Sequence, residues 1–137
     1  MKVPGLRNGI EQVGGMVYFP RMLDKIRLHA QGKLPEDYNR GSGFDTRCVK
    51  MLHVEYRDLE RRTLEGGTDE EILAWAFATG RRPAPEEIEM WNAWIGKRGW
   101  RDEKTEALKK MKADRGWQHR DDIQTYFDYH RADESAE

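Results

Sequence analysis

The sequence has 137 residues, a length typical of one domain, and 36% of the residues are charged although the net charge is only −1. The low net charge and the aromatic content (five Trp, five Tyr and four Phe) argue against an intrinsically disordered chain. The single cysteine excludes an internal disulfide.

The distribution of apolar and charged residues narrows the class further. The sequence contains no apolar run long enough to cross a bilayer, and its first residues lack the apolar core of a signal peptide. Together with Cys48 as the only thiol, these features predict a cytoplasmic protein without membrane contact. Residues 91–120 carry nine basic and four acidic residues, whereas 55–90 carry five and ten. Such blocks most simply neutralise one another across packed helices.

The first strong element is a helix predicted over residues 16–31, preceded by an arm anchored by Leu6 and Ile10. Gly14 and Gly15 form its entry, and Gly32 is placed to end it as a left-handed cap. Apolar residues at the spacing of one helical face predict a core-facing stripe. The stripe comprises Phe19, Met22, Leu23, Ile26 and Ala30.

The opposite face of this helix mixes Arg21, Asp24 and Lys25 with Leu28. A purely solvated face would not need the leucine, so we expect both faces to be covered and the charges to be partly buried. A breaker-rich loop, 33–44, follows the helix, and its length makes it a candidate functional loop.

Caps and apolar spacing predict the later helices. Asp45 is expected to cap a short helix, Thr68 to begin a capping box with Glu71, and Pro85 to open another helix. The predicted spans are 45–52, 56–65, 68–80, 85–99, a shorter segment after Asp102, and a last helix from Asp121.

These elements predict an all-α fold: a compact single-domain bundle of about six short helices around a central N-terminal helix, with no substantial sheet. The domain is expected to span residues 1–132. Residues 133–137 are expected to form a flexible acidic tail.

Three runs carry a resemblance that spans nearly the whole chain: GGMVYFPRMLDKIRLHAQGKL, TDEEILAWAFATGRRPAPEEIEMWNAWIGKRG and DDIQTYFDYHRADE. Their order and residue sequence resemble those of the bacterial domain-of-unknown-function family 5069, and the first run is the most specific. His53 stands where the family pattern would have a glycine between two helices. The resemblance implies a small single-domain bacterial protein and supplies no activity, substrate or catalytic residue.

The charged face of the first helix is the one site-like feature. We hypothesise that Arg21, Asp24, Lys25 and Asp45 line a small polar pocket for an anionic ligand, with Asp24 orienting Arg21. The structural alternative is an ion network that only fixes the register of the helix, built from i, i+3 pairs such as Arg21 with Asp24 and Asp24 with Arg27.

Other chemistry is less well supported. Trp91 and Trp94 are expected in the core, and Trp100 is expected to be exposed. Balanced charge argues against nucleic acid as a partner of the basic stretch around Trp100. No metal-ligand spacing, cofactor motif or catalytic group is recognised, and Cys48 has the character of a packed residue.

Two functions therefore remain open. The first is a domain that binds a small anionic ligand at the Arg21, Asp24 and Lys25 face, with the 33–44 loop closing over it. The second is a protein–protein interaction or adaptor domain without catalytic activity. The sequence predicts neither the ligand nor the reaction, if any, nor the oligomeric state.

Overall fold

The computed structural model describes residues 1–136, a range that holds seven helices and one two-stranded hairpin. The prediction of a compact, essentially helical domain with no substantial sheet is confirmed, with one helix more than expected. The helices are α1 (Phe19–Ala30), α2 (Phe44–Leu52), α3 (Tyr56–Leu64), α4 (Asp69–Thr79), α5 (Pro85–Gly96), α6 (Thr105–Asp114) and α7 (Tyr126–Ser135).

The hairpin replaces the predicted first turn of the central helix. Strand β1 (Gln12–Val13) pairs antiparallel with β2 (Met16–Val17). Gly14 and Gly15 connect them with φ values of 57° and 79°, the left-handed pair that a tight type I′ turn requires. The predicted helical start at residue 16 is therefore wrong, because the two glycines fold the chain back before α1 begins at Phe19.

Helix α1 is covered on both of its faces, as the mixed composition predicted. Its apolar stripe is at most 1% exposed at Phe19, Met22, Leu23 and Ile26. The opposite face is also buried, with exposures of 3% for Arg21, 6% for Asp24, 4% for Lys25 and 6% for Leu28. Ala30, predicted in the stripe, is exposed at the end of the helix.

The neighbours of α1 explain this burial. Helix α3 packs along α1, while the hairpin packs against α4 and α5. The Trp91 indole of α5 donates a hydrogen bond to the Val17 carbonyl at 3.1 Å. The N-terminal arm covers the core through Val3 and through Gly9, where a Cβ would stand 2.3 Å from the Phe127 ring. Ile10, a predicted anchor, is 52% exposed.

One predicted helix end and one predicted helix start are confirmed. Gly32 takes φ 69° after α1, and the Lys33 amide donates to the Leu28 carbonyl at 2.8 Å, which is the bond of a Schellman cap. At α4, the Thr68 hydroxyl accepts from the Glu71 amide at 3.1 Å, and the Glu71 carboxylate accepts from the Thr68 amide at 2.8 Å.

Three further predicted helix starts are wrong. Helix α2 begins at Phe44 after Gly43, so Asp45 lies in its first turn rather than at its N-cap. Lys104, not Asp102, is the N-cap of α6. Helix α7 begins after Thr125, whose hydroxyl accepts from the Asp128 amide at 3.1 Å, and not at Asp121.

The acidic end of the chain continues α7 beyond the predicted boundary at residue 132. Asp133 and Glu134 lie in the last turn of α7, where Asp133 binds Arg115 at 2.5 Å and Glu134 binds Arg21 at 2.7 Å. Glu137 lies outside the described residues. The flexibility predicted for the tail stays a prediction.

Bilayer crossing needs a long apolar helix. None of the helices within residues 1–136 is both long enough and apolar enough for that.

Candidate functional site

A pocket of about 500 Å³ opens beside α1. The loop between α1 and α2 forms one wall through Tyr38, Asn39 and Ser42, and parts of α2, α5, α6 and α7 form the rest. This volume falls in the range of cavities that hold small organic ligands. The loop singled out by its length in the sequence therefore lies at a pocket.

The walls of the pocket follow a repeated pattern. At four helices an aromatic residue is followed one turn later by a nitrogen-bearing basic residue; Tyr18 is the N-cap of its helix, and the other three aromatic residues lie within theirs. The pairs are Tyr18 and Arg21 at α1, Phe44 and Arg47 on α2, Trp94 and Arg98 on α5, and Tyr126 and His130 on α7.

Phe44 is the centre of the aromatic part of the pocket. Its ring contacts the rings of Tyr18 at 5.6 Å, Trp94 at 6.3 Å, Tyr126 at 6.0 Å and Phe127 at 6.0 Å, all nearly edge to face. Edge-to-face contacts at these distances are favourable for aromatic rings. They hold this side of the pocket as a firm apolar surface.

Lys25 and Asp45 form a buried ion pair under the pocket. The Lys25 ammonium donates to the Tyr18 hydroxyl at 3.0 Å and the Asn39 carbonyl at 2.8 Å, and it lies 2.9 Å from the Asp45 carboxylate. Asp45 also accepts from the Tyr18 hydroxyl at 2.5 Å and from the Gly41 amide at 2.8 Å. The three protons of Lys25 are thus engaged, so Lys25 gives the pocket charge but no free donor.

Burial governs the protonation of Lys25 and Tyr18. Desolvation lowers the pKa of Lys25, while the adjacent Asp45 carboxylate opposes that shift. Desolvation also raises the pKa of the Tyr18 phenol well above its ordinary value, and the Asp45 charge adds to the rise. Tyr18 therefore stays a neutral hydroxyl that bridges the ion pair.

Arg21 is held by the last turn of α7. Its guanidinium donates two hydrogen bonds to Glu134, at 2.8 and 2.7 Å, and a third to the Arg7 carbonyl at 3.1 Å. Tyr38 from the loop donates to the same Glu134 carboxylate at 3.0 Å. This bidentate pair neutralises Arg21 and joins α1, α7 and the loop.

Asp24 does not face the pocket. Its carboxylate accepts three hydrogen bonds from the amide and guanidinium of Arg7, each at 2.9 Å, and lies 3.7 Å from Arg27. Asp69 completes this network by pairing with Arg7 at 2.8 Å and Arg27 at 2.9 Å. The predicted pairing of Asp24 with Arg21 is wrong, because Arg7 of the N-terminal arm takes that carboxylate.

The cations without carboxylate partners lie elsewhere, at the mouth of the pocket. Arg47 and Lys104 are exposed there, and no ion pair involves either of them within residues 1–136. The Arg47 guanidinium lies 5.4 Å from the Trp94 ring centre. Arg98 lies over the same ring at 5.1 Å and is 3.5 Å from Asp102.

The positive charge of the pocket wall that no ion pair balances is that of Arg47 and Lys104, because Asp45 pairs with Lys25 and Asp102 with Arg98. Five cationic side chains face three carboxylates, those of Asp37, Asp133 and Glu134. Two of these three carboxylates are already occupied, Glu134 by Arg21 and Asp133 by Arg115. An anion that enters the pocket meets cations at the mouth rather than bound pairs.

His130 is the unusual polar group of the wall. Burial, with smaller contributions from Arg21 and Lys25, lowers the pKa of the His130 imidazole to about 3. Its Nδ1 atom is closed off from solvent and has no hydrogen-bond partner among the described residues. A buried polar atom without a partner calls for an explanation in a native structure.

The structure thus separates the four residues predicted from the sequence. Arg21 and Lys25 line the pocket, Asp45 lies behind Lys25, and Asp24 belongs to a different network. Sequence reasoning missed the residues at the mouth and on α7. The signal that could have found all of them except Lys104 is the aromatic residue followed by a basic one after three or four positions, repeated at four helices. The missed residues are Arg47, Trp94, Arg98, Lys104, Tyr126 and His130.

The side chains that commonly bind metals in proteins are those of His, Cys, Asp and Glu. Within residues 1–136, no three or more His, Cys, Asp or Glu side chains cluster as a metal site would need. The only cysteine, Cys48, is buried, and burial raises the pKa of its thiol well above the ordinary value.

The fold and the site together define a small helical domain with one aromatic, cation-rimmed pocket beside its central helix. The chain belongs to the family described as Domain of unknown function (DUF5069), whose family model matches residues 4–136. The resemblance noted in the sequence is thereby confirmed. A search of the curated proteins finds no match to the chain.

Proposed function

We propose that this domain binds a small anionic ligand in the pocket between α1, α2, α5 and α7. The observation that carries the proposal is the convergence of Arg47, Arg98 and Lys104 on one pocket. Arg47 and Lys104 have no carboxylate partner within the described residues, so their charges are available to a ligand. Guanidinium groups are well suited to carboxylates and phosphates, which they bind through paired hydrogen bonds.

The residues predicted from the sequence support this site in two ways. Arg21 and Lys25 form the floor of the pocket, and both are paired with carboxylates. Asp45 holds Lys25, and Asp24 holds Arg7, whose carbonyl accepts a hydrogen bond from Arg21. In this proposal Asp24 and Asp45 position the floor of the pocket and do not touch the ligand.

The alternative is an interaction domain, which a contiguous exposed apolar patch near Trp100 or Trp117 would favour. Trp100 is 45% exposed, but Arg101 lies over its ring at 5.0 Å. Trp117 is half-buried under Arg115 at 4.1 Å and Arg120 at 4.9 Å. The guanidinium groups interrupt any apolar patch there, which favours the pocket. A cytoplasmic location stays a prediction of the sequence.

The test compares Arg47→Gln with Lys50→Gln, which removes the same charge from the same helix at an exposed position outside the pocket. Binding of inorganic phosphate and of benzoate is measured by calorimetry and by the rise in melting temperature at constant ionic strength. We expect Arg47→Gln to weaken binding about tenfold, the effect of losing one charge-assisted hydrogen bond.

Lys50→Gln should bind like the unaltered chain. Equal weakening in both variants would show only a general charge effect and would contradict the proposal. So would the absence of any melting-temperature change up to about 10 mM of either anion, since a millimolar site would be visible at that concentration.

A further inference from the structure

We infer that the ligand of the pocket beside α1 is an aromatic carboxylate, whose carboxylate group binds the Arg98 guanidinium and whose ring lies against Phe44, Trp94 and Tyr126. The inference rests on the proposed function and adds the chemical class of the ligand to it. Three observations support it: the unused donors of Arg98, the distances that join Arg98 to the aromatic wall, and the acidic residues beside Arg98.

Arg98 is a buried cation whose donors are not used. Its side chain is 10% exposed, and within residues 1–136 its guanidinium donates no hydrogen bond. The nearest carboxylate oxygen, that of Asp102, lies 3.5 Å from Nη1, which is longer than an ordinary hydrogen bond. The Asp102 carboxylate accepts instead from the amides of Gly99 at 2.9 Å and Lys104 at 2.8 Å. Since buried donors are normally bonded, the five N–H groups of Arg98 call for an acceptor.

The nitrogens of Arg98 are also accessible. Within residues 1–136, the unbonded side-chain polar atoms that are closed off from solvent are Tyr56 Oη and His130 Nδ1. The three guanidinium nitrogens of Arg98 are not among them, and Arg98 lines the pocket. An oxyanion that enters the pocket can therefore accept from Arg98, whereas it cannot reach His130 Nδ1.

Measured distances join the Arg98 guanidinium to the aromatic wall. Its Cζ atom lies 5.1 Å from the centre of the Trp94 ring, and Arg47 lies over the same ring at 5.4 Å. Phe44 contacts Trp94 at 6.3 Å and Tyr126 at 6.0 Å, and the Tyr126 amide donates to the Arg98 carbonyl at 2.9 Å. A carboxylate bound at Arg98 thus has these three rings beside the group to which it is attached.

The size and the walls of the pocket favour an aromatic body. The volume of about 500 Å³ suits a small organic molecule rather than an inorganic ion alone. The rings of Phe44, Trp94 and Tyr126 are only half-buried, so part of each remains to be covered. Aromatic rings pack favourably on one another edge to face or with an offset. A flat ring on the ligand can use either arrangement here.

The acidic residues near Arg98 favour one negative charge over two. The Asp102 carboxylate lies 3.5 Å and the Glu103 carboxylate 4.0 Å from the Arg98 guanidinium, and Asp37 lies in the opposite loop wall. Like charges at such distances raise the free energy of a bound dianion more than that of a monoanion. A carboxylate carries a single charge, and its two oxygens match the planar fork of a guanidinium.

The first test compares three probes on the full chain by calorimetry, at about pH 7.5 and constant ionic strength. The probes are benzoate, cyclohexanecarboxylate and phenyl phosphate. Benzoate should bind about five times more tightly than cyclohexanecarboxylate, which has the same charge and no planar ring. Benzoate should also bind more tightly than phenyl phosphate, which carries the same ring and is mainly a dianion at this pH.

The second test assigns the carboxylate to Arg98. Arg98→Lys keeps the charge and loses the planar fork, so benzoate affinity should fall about tenfold. The matched control is Arg101→Lys, because Arg101 also lies over a tryptophan ring, that of Trp100 at 5.0 Å, but does not line the pocket. The control should bind benzoate like the unaltered chain. The melting temperature without ligand shows whether each variant is folded, and the probe comparison in the unaltered chain depends on neither.

Four outcomes would overturn the inference. Equal affinities for benzoate and cyclohexanecarboxylate would show that the aromatic ring is not recognised. Tighter binding of phenyl phosphate would assign the pocket to phosphates. Benzoate binding that is unchanged in a folded Arg98→Lys, or equally weakened in Arg101→Lys, would show that the carboxylate does not bind Arg98. If inorganic phosphate binds and no aryl carboxylate does, the inference is wrong and the proposed function stands; if no anion binds, both are wrong.

Discussion

His130 couples the stability of this domain to pH. The pKa of the imidazole is about 3 in the folded chain, against an ordinary value of 6.5. Below pH 6.5 the unfolded chain binds a proton that the folded chain does not, so the free energy of unfolding must fall as the pH is lowered. The slope is at most about 1.4 kcal/mol per pH unit, and the window runs from pH 6.5 down to 3.

This dependence can be measured by urea unfolding at pH 7 and pH 5. We expect the unaltered chain to lose about 2 kcal/mol more than His130→Asn over that interval, because the variant has no imidazole to protonate. Carboxyl groups with lowered pKa values, such as that of Asp69, are present in both proteins, so their titration cancels in the difference. Parallel losses in the two proteins would show that His130 is not held neutral.

At the residue scale, the sequence predicted that the charged side chains of α1 are buried, but it did not predict their ion-pair partners. The sequence placed Arg21, Asp24 and Lys25 on a covered face because Leu28 lies among them, and that burial is confirmed. The partners of Asp24 and Arg21 come from the two ends of the chain, and that of Lys25 is Asp45 on α2. Arg7 lies 17 positions from Asp24, and Glu134 lies 113 positions from Arg21.

At the scale of secondary structure, His53 at the end of α2 has a left-handed backbone conformation that differs from that of the helix before it. His53 has φ 57° and its side chain is exposed. The Val54 amide donates to the Val49 carbonyl at 3.1 Å, as in a glycine-based Schellman cap. This explains why a glycine would be expected there, since glycine alone adopts a left-handed backbone without steric cost.

His53→Gly should therefore raise the free energy of unfolding by up to about 1 kcal/mol, because relief of the left-handed strain exceeds the added chain entropy. His53→Val should lower it by at least about 1 kcal/mol, since a β-branched residue tolerates positive φ poorly. Denaturant unfolding of both variants checks the signs.

The control is His119→Gly, at an exposed histidine without positive φ, where glycine should be neutral or destabilising. A stabilisation of the same size at both positions would mean that the left-handed backbone of His53 is not the cause.

Helix existence was predictable from apolar spacing, but several helix starts were not. The Thr68 capping box could be predicted because Glu71 follows Thr68 by three residues, the spacing of a capping box, and no competing start lies nearby. At α7, two acids at 121–122 compete with Thr125 as possible caps, and the structure uses Thr125, which forms a capping box with Asp128. The hairpin was missed because each of its strands has two residues, too few to show alternation.

At the scale of the whole molecule, the two ends of the chain hold the central helix. Arg7 from the arm binds Asp24 and Glu134 from α7 binds Arg21, both on the charged face of α1. The Arg21 side chain is 3% exposed and that of Glu134 11%, so removing one partner leaves the other buried and uncompensated.

Deletion of residues 133–137 should therefore destabilise the domain by about 3 kcal/mol, the typical result of breaking a buried ion pair from one side. Deletion of residues 136–137 alone is the matched control, because it keeps Glu134, and it should change the free energy of unfolding little. Both are measured by urea unfolding. Equal stability of the two truncated chains would instead support the flexible tail predicted from the sequence.

The sequence by itself determined that the chain is a helical domain, where most helices lie, and that α1 is covered on both faces. These properties depend on local spacing, capping chemistry and composition, which a linear pattern contains. Only the tertiary structure decided which charges pair and where the pocket opens. Those outcomes depend on contacts between residues such as Arg21 and Glu134, whose distance along the chain leaves no periodic trace. The same holds for side chains without a polar partner: Arg47 has no carboxylate partner and His130 Nδ1 has no hydrogen-bond partner among the described residues, which only the tertiary structure can show.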